Sequence, residues 1–201
     1  MSAIELSRHI QASLEAGRKT VEAFLADPAN AKAIEASARL LATAFAAGNK
    51  VISCGNGGSA CDAIHFAEEF TGRFIKDRKP LPAIPLTDPG HLTCVGNDYG
   101  YDEVFARGVL AYGKPGDVLL AISTSGNSRN VIRALEEARR LEMKVILLLG
   151  KDGGALQGKG DSEIWVRTKA TERVQEIHMF ALHIVIESVE RLLFPENYSG
   201  N

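Results

Sequence analysis

Five short apolar runs, at 51–54, 83–87, 118–123, 144–149 and 163–166, punctuate this chain, and helix-patterned segments lie between them. Most are apolar on both faces, as strands are when helices cover both sides of a parallel sheet. The spacing predicts helices over 59–71, around Leu92, over 103–112 and over 127–141, a short piece near 154–158, and a long last helix over 171–193 that stops before Pro195. The expected architecture is therefore α/β: a doubly wound, five-stranded parallel sheet flanked by helices, flavodoxin-like in its winding. Two more helices precede the first strand. Ile4, Leu6, Ile10, Leu14, Val21, Phe24 and Leu25 recur at helical intervals up to Asp27-Pro28, and a second helix over 31–47 is closed by Gly48. That is more helix than one sheet face requires. Both can pack on their own sheet, but at least the first is expected to pack on a partner subunit. The chain reads as one domain over 1–201, with the helical pair at 1–48, the α/β core and last helix at 49–195, and a frayed tail at 196–201.

Composition narrows the function classes. The chain has 201 residues, 45% hydrophobic and 24% charged, enough for one buried core. Its 23 basic and 25 acidic residues give a net charge of −2 without blocks of one sign, so no nucleic-acid partner is expected and any anion site must be local. No apolar run is long enough to span a bilayer, and residues 1–20 lack the apolar core of a signal peptide, so a cytoplasmic protein with no membrane partner is expected. The cysteines, Cys54, Cys61 and Cys94, form no Cys-x-x-Cys pair, which fits a reducing compartment and no disulfide. Cys61, near a helix start, is expected to be buried and inert rather than reactive.

On such a sheet, ligands gather at the carboxyl ends of the strands, which points to the loops at Gly55, Asp88, Thr124 and Gly150. The turn Lys114-Pro115-Gly116-Asp117 falls on the opposite side. In Gly55-Asn56-Gly57-Gly58-Ser59-Ala60, Ser59 is the expected N-cap and Asp62 falls in the first turn, so free backbone N–H groups and the positive end of a helix dipole meet there. The loop fits the loose dinucleotide pattern G-x-G-x-x-A, with Asp88 as a candidate ribose ligand. Asp88 lies beyond the usual distance and is followed by Pro89, so no nucleotide cofactor is expected. The remaining alternative is a glycine-rich turn that serves geometry alone.

Ser123-Thr124-Ser125-Gly126-Asn127-Ser128 is a second strand-to-helix loop. It lacks G-x-x-x-x-G-K, so nucleotide hydrolysis is not indicated, and its hydroxyls suit a phosphate ester. An elaborate N-cap is the alternative. His65 and Glu69 stand four apart on one helix face, and Gln175 and His183 stand two turns apart on another, with His178 pointing elsewhere. Two helices that each carry an imidazole and an oxygen-bearing side chain among apolar neighbours suit an acid–base pair or a zinc site, and spacing leaves both open. Asn97 and Asp98, read as a loop, suit sugar hydroxyls or a helix cap, and Asp102 is read as a cap.

Taken in order, Cys54–Ser59, His65–Glu69, Val95–Asp98, Gly116–Leu120, Ser123–Ser128, Gly150–Gly154 and Gln175–His178 resemble the sugar isomerase (SIS) family, in particular its branch acting on phosphorylated heptoses, over about residues 5–195. The resemblance implies an aldose–ketose isomerase taking D-sedoheptulose 7-phosphate to D-glycero-D-manno-heptose 7-phosphate, toward ADP-heptose for lipopolysaccharide or other surface polysaccharide. It implies a homotetramer with sites between subunits. It implies substrate contacts from Asn56, Gly57, Gly58, Ser59, Glu69, Asn97, Asp98, Ser123, Thr124, Ser125, Ser128 and Gln175, with the serine loop on the phosphate, and a sugar-hydroxyl contact from Glu172. It also implies one zinc per subunit on His65, Glu69, Gln175 and His183, with Glu69 and His183 catalytic through an enediol. A second branch, a non-catalytic regulator of the replication initiator, shares the fold and the ending Leu193-Phe194-Pro195, but it lacks a carboxylate at the position of Glu69 and a histidine at that of His183.

Overall fold

The computed structural model describes residues 2–199. Five strands, β1 (Val51–Gly55), β2 (Ala83–Pro85), β3 (Val118–Ser123), β4 (Lys144–Gly150) and β5 (Ser162–Val166), form one all-parallel sheet in the order β2-β1-β3-β4-β5. β1 and β3 are buried along their whole length, as two-sided apolar strands must be. The helices are α1 (Ala3–Ala26), α2 (Pro28–Ala46), α3 (Gly58–Thr71), α4 (Pro89–Tyr99), α5 (Val104–Tyr112), α6 (Arg129–Arg140) and α7 (Thr171–Leu193), with 3₁₀ turns at Tyr101–Glu103, Gly154–Leu156 and Pro195–Tyr198.

Two cores sandwich the sheet. On one face Ile34, Leu41 and Phe45 of α2, Phe66 and Phe70 of α3, and Leu182 and Val185 of α7 pack on Val51, Leu120 and Ile146. On the other, Val104 and Phe105 of α5 and Val131 and Leu135 of α6 pack on Ile52, Leu119 and Val145. The second helix thus belongs to its own sheet. The first is only partly covered. A capping box between Ser2 and Glu5 starts α1, yet Ile4 and Leu14 stay 67% and 63% exposed, with Leu6, Ile10 and Leu25 also open. Asp27 both ends α1 and caps α2 by accepting from Ala29 N–H, with Pro28 in the first turn, where its missing N–H is not needed.

Several local expectations are corrected. α3 starts at Gly58 with Gly57 as N-cap, and Ser59 is a buried residue of its first turn, which also moves Asp62 beyond that turn. The chain reverses through φ +57° at Gly57, a conformation open to glycine and strained for serine. Asn97 and Asp98 lie on α4, not in a loop: Asp88 caps that helix through His91 N–H at 2.7 Å, Pro89 opens it, and it runs on to Tyr99. Asp88 is thereby engaged in capping. Asp102 caps nothing; it sits in a 3₁₀ turn and pairs with Arg129 at 3.2 Å. Cys61 is exposed, whereas Cys54 is the buried thiol, pushed up to about 12 by desolvation. Residues 196–198 are docked rather than frayed, since Tyr198 Oη donates to Glu190 at 2.8 Å and Asn197 Nδ2 to the Asp77 carbonyl at 3.0 Å. Residues 1, 200 and 201 lie outside the described residues.

The far end of α3 is held by Arg78, a side chain with no exposed surface. Its guanidinium donates to the carbonyls of Glu69 (2.6 Å), Phe70 (2.7 Å) and Gly72 (2.8 Å), and its Nε to Glu190 Oε1 (2.9 Å) on α7. Carbonyls left open at a helix C-terminus thus meet a cation, and the cation meets a buried carboxylate. Arg78→Met would leave the buried Glu190 charge with the Tyr198 hydroxyl and no cation, and is expected to cost on the order of 3–5 kcal/mol. In urea titrations the double variant Arg78→Met/Glu190→Met should recover a large part of that loss.

Candidate active site

β1 and β3 are neighbours whose following chains leave in opposite senses, toward β2 and toward β4, and a crevice opens at their carboxyl ends. The glycine loop and the N-terminus of α3 form one wall, and Ser123–Ser128 and the N-terminus of α6 form the other. Two helix dipoles and their free N–H groups thus face one space, which suits an anion.

The serine loop is internally braced. Ser123 Oγ accepts from Gly126 N–H at 3.1 Å and lies 3.1 Å from Ser128 Oγ, and Ser125 Oγ accepts from Asn127 N–H at 3.1 Å. Ser128 is the N-cap residue of α6 but makes no side-chain capping bond, so its hydroxyl serves the loop rather than the helix. Thr124 is half-buried, and its hydroxyl has no partner among the described residues. Behind the loop stands the 150–154 turn: Asn127 Oδ1 accepts from Ala155 N–H at 2.9 Å, and the Gly126 carbonyl from Leu156 N–H at 3.0 Å. A Cβ on Gly126 would land on the Gly153 carbonyl, so the two turns touch backbone to backbone.

Across the crevice, Asn56 and Asn130 exchange two amide hydrogen bonds of 2.9 and 2.8 Å, and Tyr101 Oη donates to Asn56 Oδ1 at 2.9 Å. Sequence reasoning singled out Asn56 but neither of its partners. Asn130 had no motif to mark it, and Tyr101 stood among residues read as sugar contacts or caps.

One helical stretch into α3, His65 Nε2 lies 3.1 Å from Glu69 Oε1 and 3.4 Å from Nε2 of His183, 118 positions away in the chain. One ligand atom from each of the three fits within a 4.8 Å group. Phe74 closes one side, its ring centred 5.5 Å from that of His183. Gln175 lies toward the head of α3, its amide resting against Gly58, and it has no hydrogen bond to the three among the described residues. Gly57 and Gly58 are exposed in the loop, Asn97 and Asp98 are exposed on α4 with Asn97 Nδ2 donating to Asp98 Oδ1 at 2.8 Å, and Glu172 is exposed in the first turn of α7. The spacing of the ligand atoms suits a zinc ion, because bonds of about 2.0–2.2 Å set tetrahedral ligands roughly 3.3 Å apart. Two facing imidazole nitrogens otherwise need one proton between them.

Near this cluster the Asp62 carboxyl is pushed up to about 6 by burial, against the opposing pull of His65, and its Oδ2 has no partner. His178 faces away from the site. Its Nε2 is 3.0 Å from the Leu149 carbonyl and so carries the proton, Nδ1 is unpartnered, and burial pushes the imidazole down to about 4. An unfolded histidine titrates near 6.5, so between pH 6.5 and 4 the unfolded chain binds the extra proton. This histidine's contribution is therefore complete above pH 6.5 and lost toward pH 4, at no more than about 1.4 kcal/mol per pH unit. Asp62, whose protonated form suits its burial, acts in the opposite direction between 3.8 and about 6. Comparing His178→Gln with the wild type isolates the histidine: urea titrations at pH 7 and 4.5 should show a smaller acid loss in the variant.

Comparison with known proteins agrees along most of the chain. Residues 14–150 match the SIS domain family. The phosphoheptose isomerase of Fusobacterium nucleatum subsp. nucleatum is 55% identical over 175 residues, 87% of this chain and 90% of that protein. That of Edwardsiella ictaluri is 56% identical over 183 residues, 90% of this chain and 95% of its own. Among solved structures, a phosphoheptose isomerase from Francisella tularensis superposes with a TM-score of 0.88 at 37% identity, covering 95% of this chain and 100% of the other. Phosphoheptose isomerase GmhA from Neisseria gonorrhoeae gives 0.85 at 37% identity, covering 92% and 98%.

Proposed function

Because this chain belongs to the SIS domain family and, within it, to the phosphoheptose isomerases, we propose that it converts D-sedoheptulose 7-phosphate to D-glycero-D-manno-heptose 7-phosphate, the first step toward ADP-heptose for surface polysaccharide. The observation that carries this reading is the meeting of Glu69 and His183, from helices distant in the chain, around His65. Those two residues also separate it from the initiator-binding regulator, a reading that relatives named as isomerases do not favour.

The serine loop, with Ser123, Thr124, Ser125 and Ser128, takes the phosphate at the α6 N-terminus, and Asn56, Gly57, Gly58, Ser59, Asn97, Asp98 and Gln175 line the sugar. Glu69 presents two oxygens: Oε1 faces His65, while Oε2 has no hydrogen-bond partner among the described residues. Oε2 removes the C1 proton of the open-chain ketose and returns it to C2, and His183 carries the O1 proton to O2, so that an enediol links ketose and aldose. His65, Glu69 and His183, with Gln175 as fourth ligand, would hold one zinc ion, which when bound supplies a Lewis acid for the carbonyl. Incubation with sedoheptulose 7-phosphate, with and without a chelator, tests the reaction and its need for metal. Glu69→Gln should lower kcat by at least about a hundredfold; a wild type that leaves the ketose unchanged would sink the proposal.

The protein works as a cytoplasmic homotetramer with sites at subunit interfaces. No helix among the described residues is long and apolar enough to cross a membrane. The open apolar stripe of α1 and a hollow of about 480 Å³ lined by Phe24, Ile34, Phe180, Ile184 and Leu192 support burial against other copies. Ile10→Asp/Leu14→Asp should shift sedimentation from tetramer toward smaller species while leaving the far-UV spectrum helical.

A further inference from the structure

The Asn56–Asn130 amide pair has a polarity that the backbone decides. Val131 N–H lies 3.0 Å from Asn130 Oδ1, and a backbone N–H only donates, so the oxygen of the Asn130 amide faces it. The same oxygen accepts from Asn56 Nδ2 at 2.9 Å, and Asn130 Nδ2 donates to Asn56 Oδ1 at 2.8 Å. Tyr101 Oη supplies a second donor to Asn56 Oδ1 at 2.9 Å. Both acceptor positions of Asn56 are thereby taken. What Asn56 has left is one N–H.

We propose that Asn130, 3% exposed and one residue into α6, is a positioning residue that turns the Asn56 amide so that the glycine loop offers a donor, and never an acceptor, to an oxygen of the bound sugar phosphate. This deepens the isomerase reading and rests on it. The crevice then carries donors on both walls, backbone N–H groups of α6 on one and the Asn56 amide on the other. Such a lining selects phosphoryl, carbonyl and hydroxyl oxygens and rejects a ligand that presents a cationic or N–H group at that point. The amide pair also bridges the loops after β1 and β3, so the two walls keep one spacing.

Asn130→Asp is the discriminating variant. It retains an acceptor for Val131 N–H and Asn56 Nδ2 but sets a second carboxylate oxygen against Asn56 Oδ1, so in either orientation the Asn56 amide meets a carboxylate oxygen with its own oxygen and is no longer held with its N–H toward the ligand. KM for sedoheptulose 7-phosphate should rise about tenfold or more, kcat should change far less, and the inhibition constant of inorganic phosphate should rise with KM. Asn130→Ala, which removes the pair without setting a carboxylate oxygen against Asn56, should raise KM by a smaller factor although it leaves the larger void. In an Asn56→Ala background the Asn130→Asp effect should shrink to about twofold. Melting temperatures of all variants establish that folded protein is compared. An equal KM increase with and without Asn56 would assign the effect to charge alone and overturn the inference, as would a fall in kcat at constant KM, or Asn130→Ala proving worse than Asn130→Asp. If the wild type does not turn over the seven-carbon ketose, the isomerase reading fails. The same variants are then compared by calorimetric titration with inorganic phosphate, where absent binding or equal affinities overturn the inference independently.

Discussion

The contact on which the most depends is the one between α3 and α7, sealed at its far end by the buried guanidinium of Arg78. Both helices leave the carboxyl edge of a parallel sheet, so they run in the same direction, and positions at matching depth meet: Gly58 with Gln175, His65 with His183, and the Glu69–Phe70 carbonyls with Glu190 through Arg78. A pair of charges in so dry a place is poor material for stability, since desolvation opposes it. It is good material for registration, because neither helix can slide without stranding an ion. The Glu69 carboxylate, the base in the proposed reaction, sits on the residue whose own carbonyl Arg78 holds. Its distance to the imidazole of another helix is thus set by backbone bonds rather than by side-chain packing alone.

Much of this architecture was legible in the residue order. Apolar runs of this length between helix-patterned segments can be little else than strands of a helix-covered parallel sheet, and all five lie where they were expected to within two residues at either end. Helix boundaries were less secure wherever two local rules competed. Ser59 is a good N-cap by type, but the preceding turn needed a positive φ, so Gly57, two residues earlier, took the position. Val95-Gly96-Asn97-Asp98 has the composition of a loop, yet a strong cap at Asp88 and Pro89 started a helix that ran through it. The chain end looked polar and loose, but Tyr198 had a buried carboxylate within reach.

The site divides along a similar line. His65, Glu69 and His183 could be found from helical spacing because each is a polar group on an apolar face, and such groups need partners. Gln175 shares the face of His183 but lies beside the glycine loop, which places it between the two parts of the site. Asn130 and Arg78 escaped notice for a shared reason: what they bind is backbone, a lone amide or one carboxylate more than a hundred positions away, and none of these leaves a mark in the local residue pattern. An arginine in a polar loop reads as solvated until its carbonyls are seen.

The backbone contact between Gly126 and Gly153 makes the serine loop and the turn after β4 one solid piece. Neither can be lengthened, shortened or given a side chain at that point without displacing the other. Substitutions at these two turns therefore have to be accepted as a set. A graft meant to retune what this end of the sheet accepts would have to carry both segments together, as a single cassette.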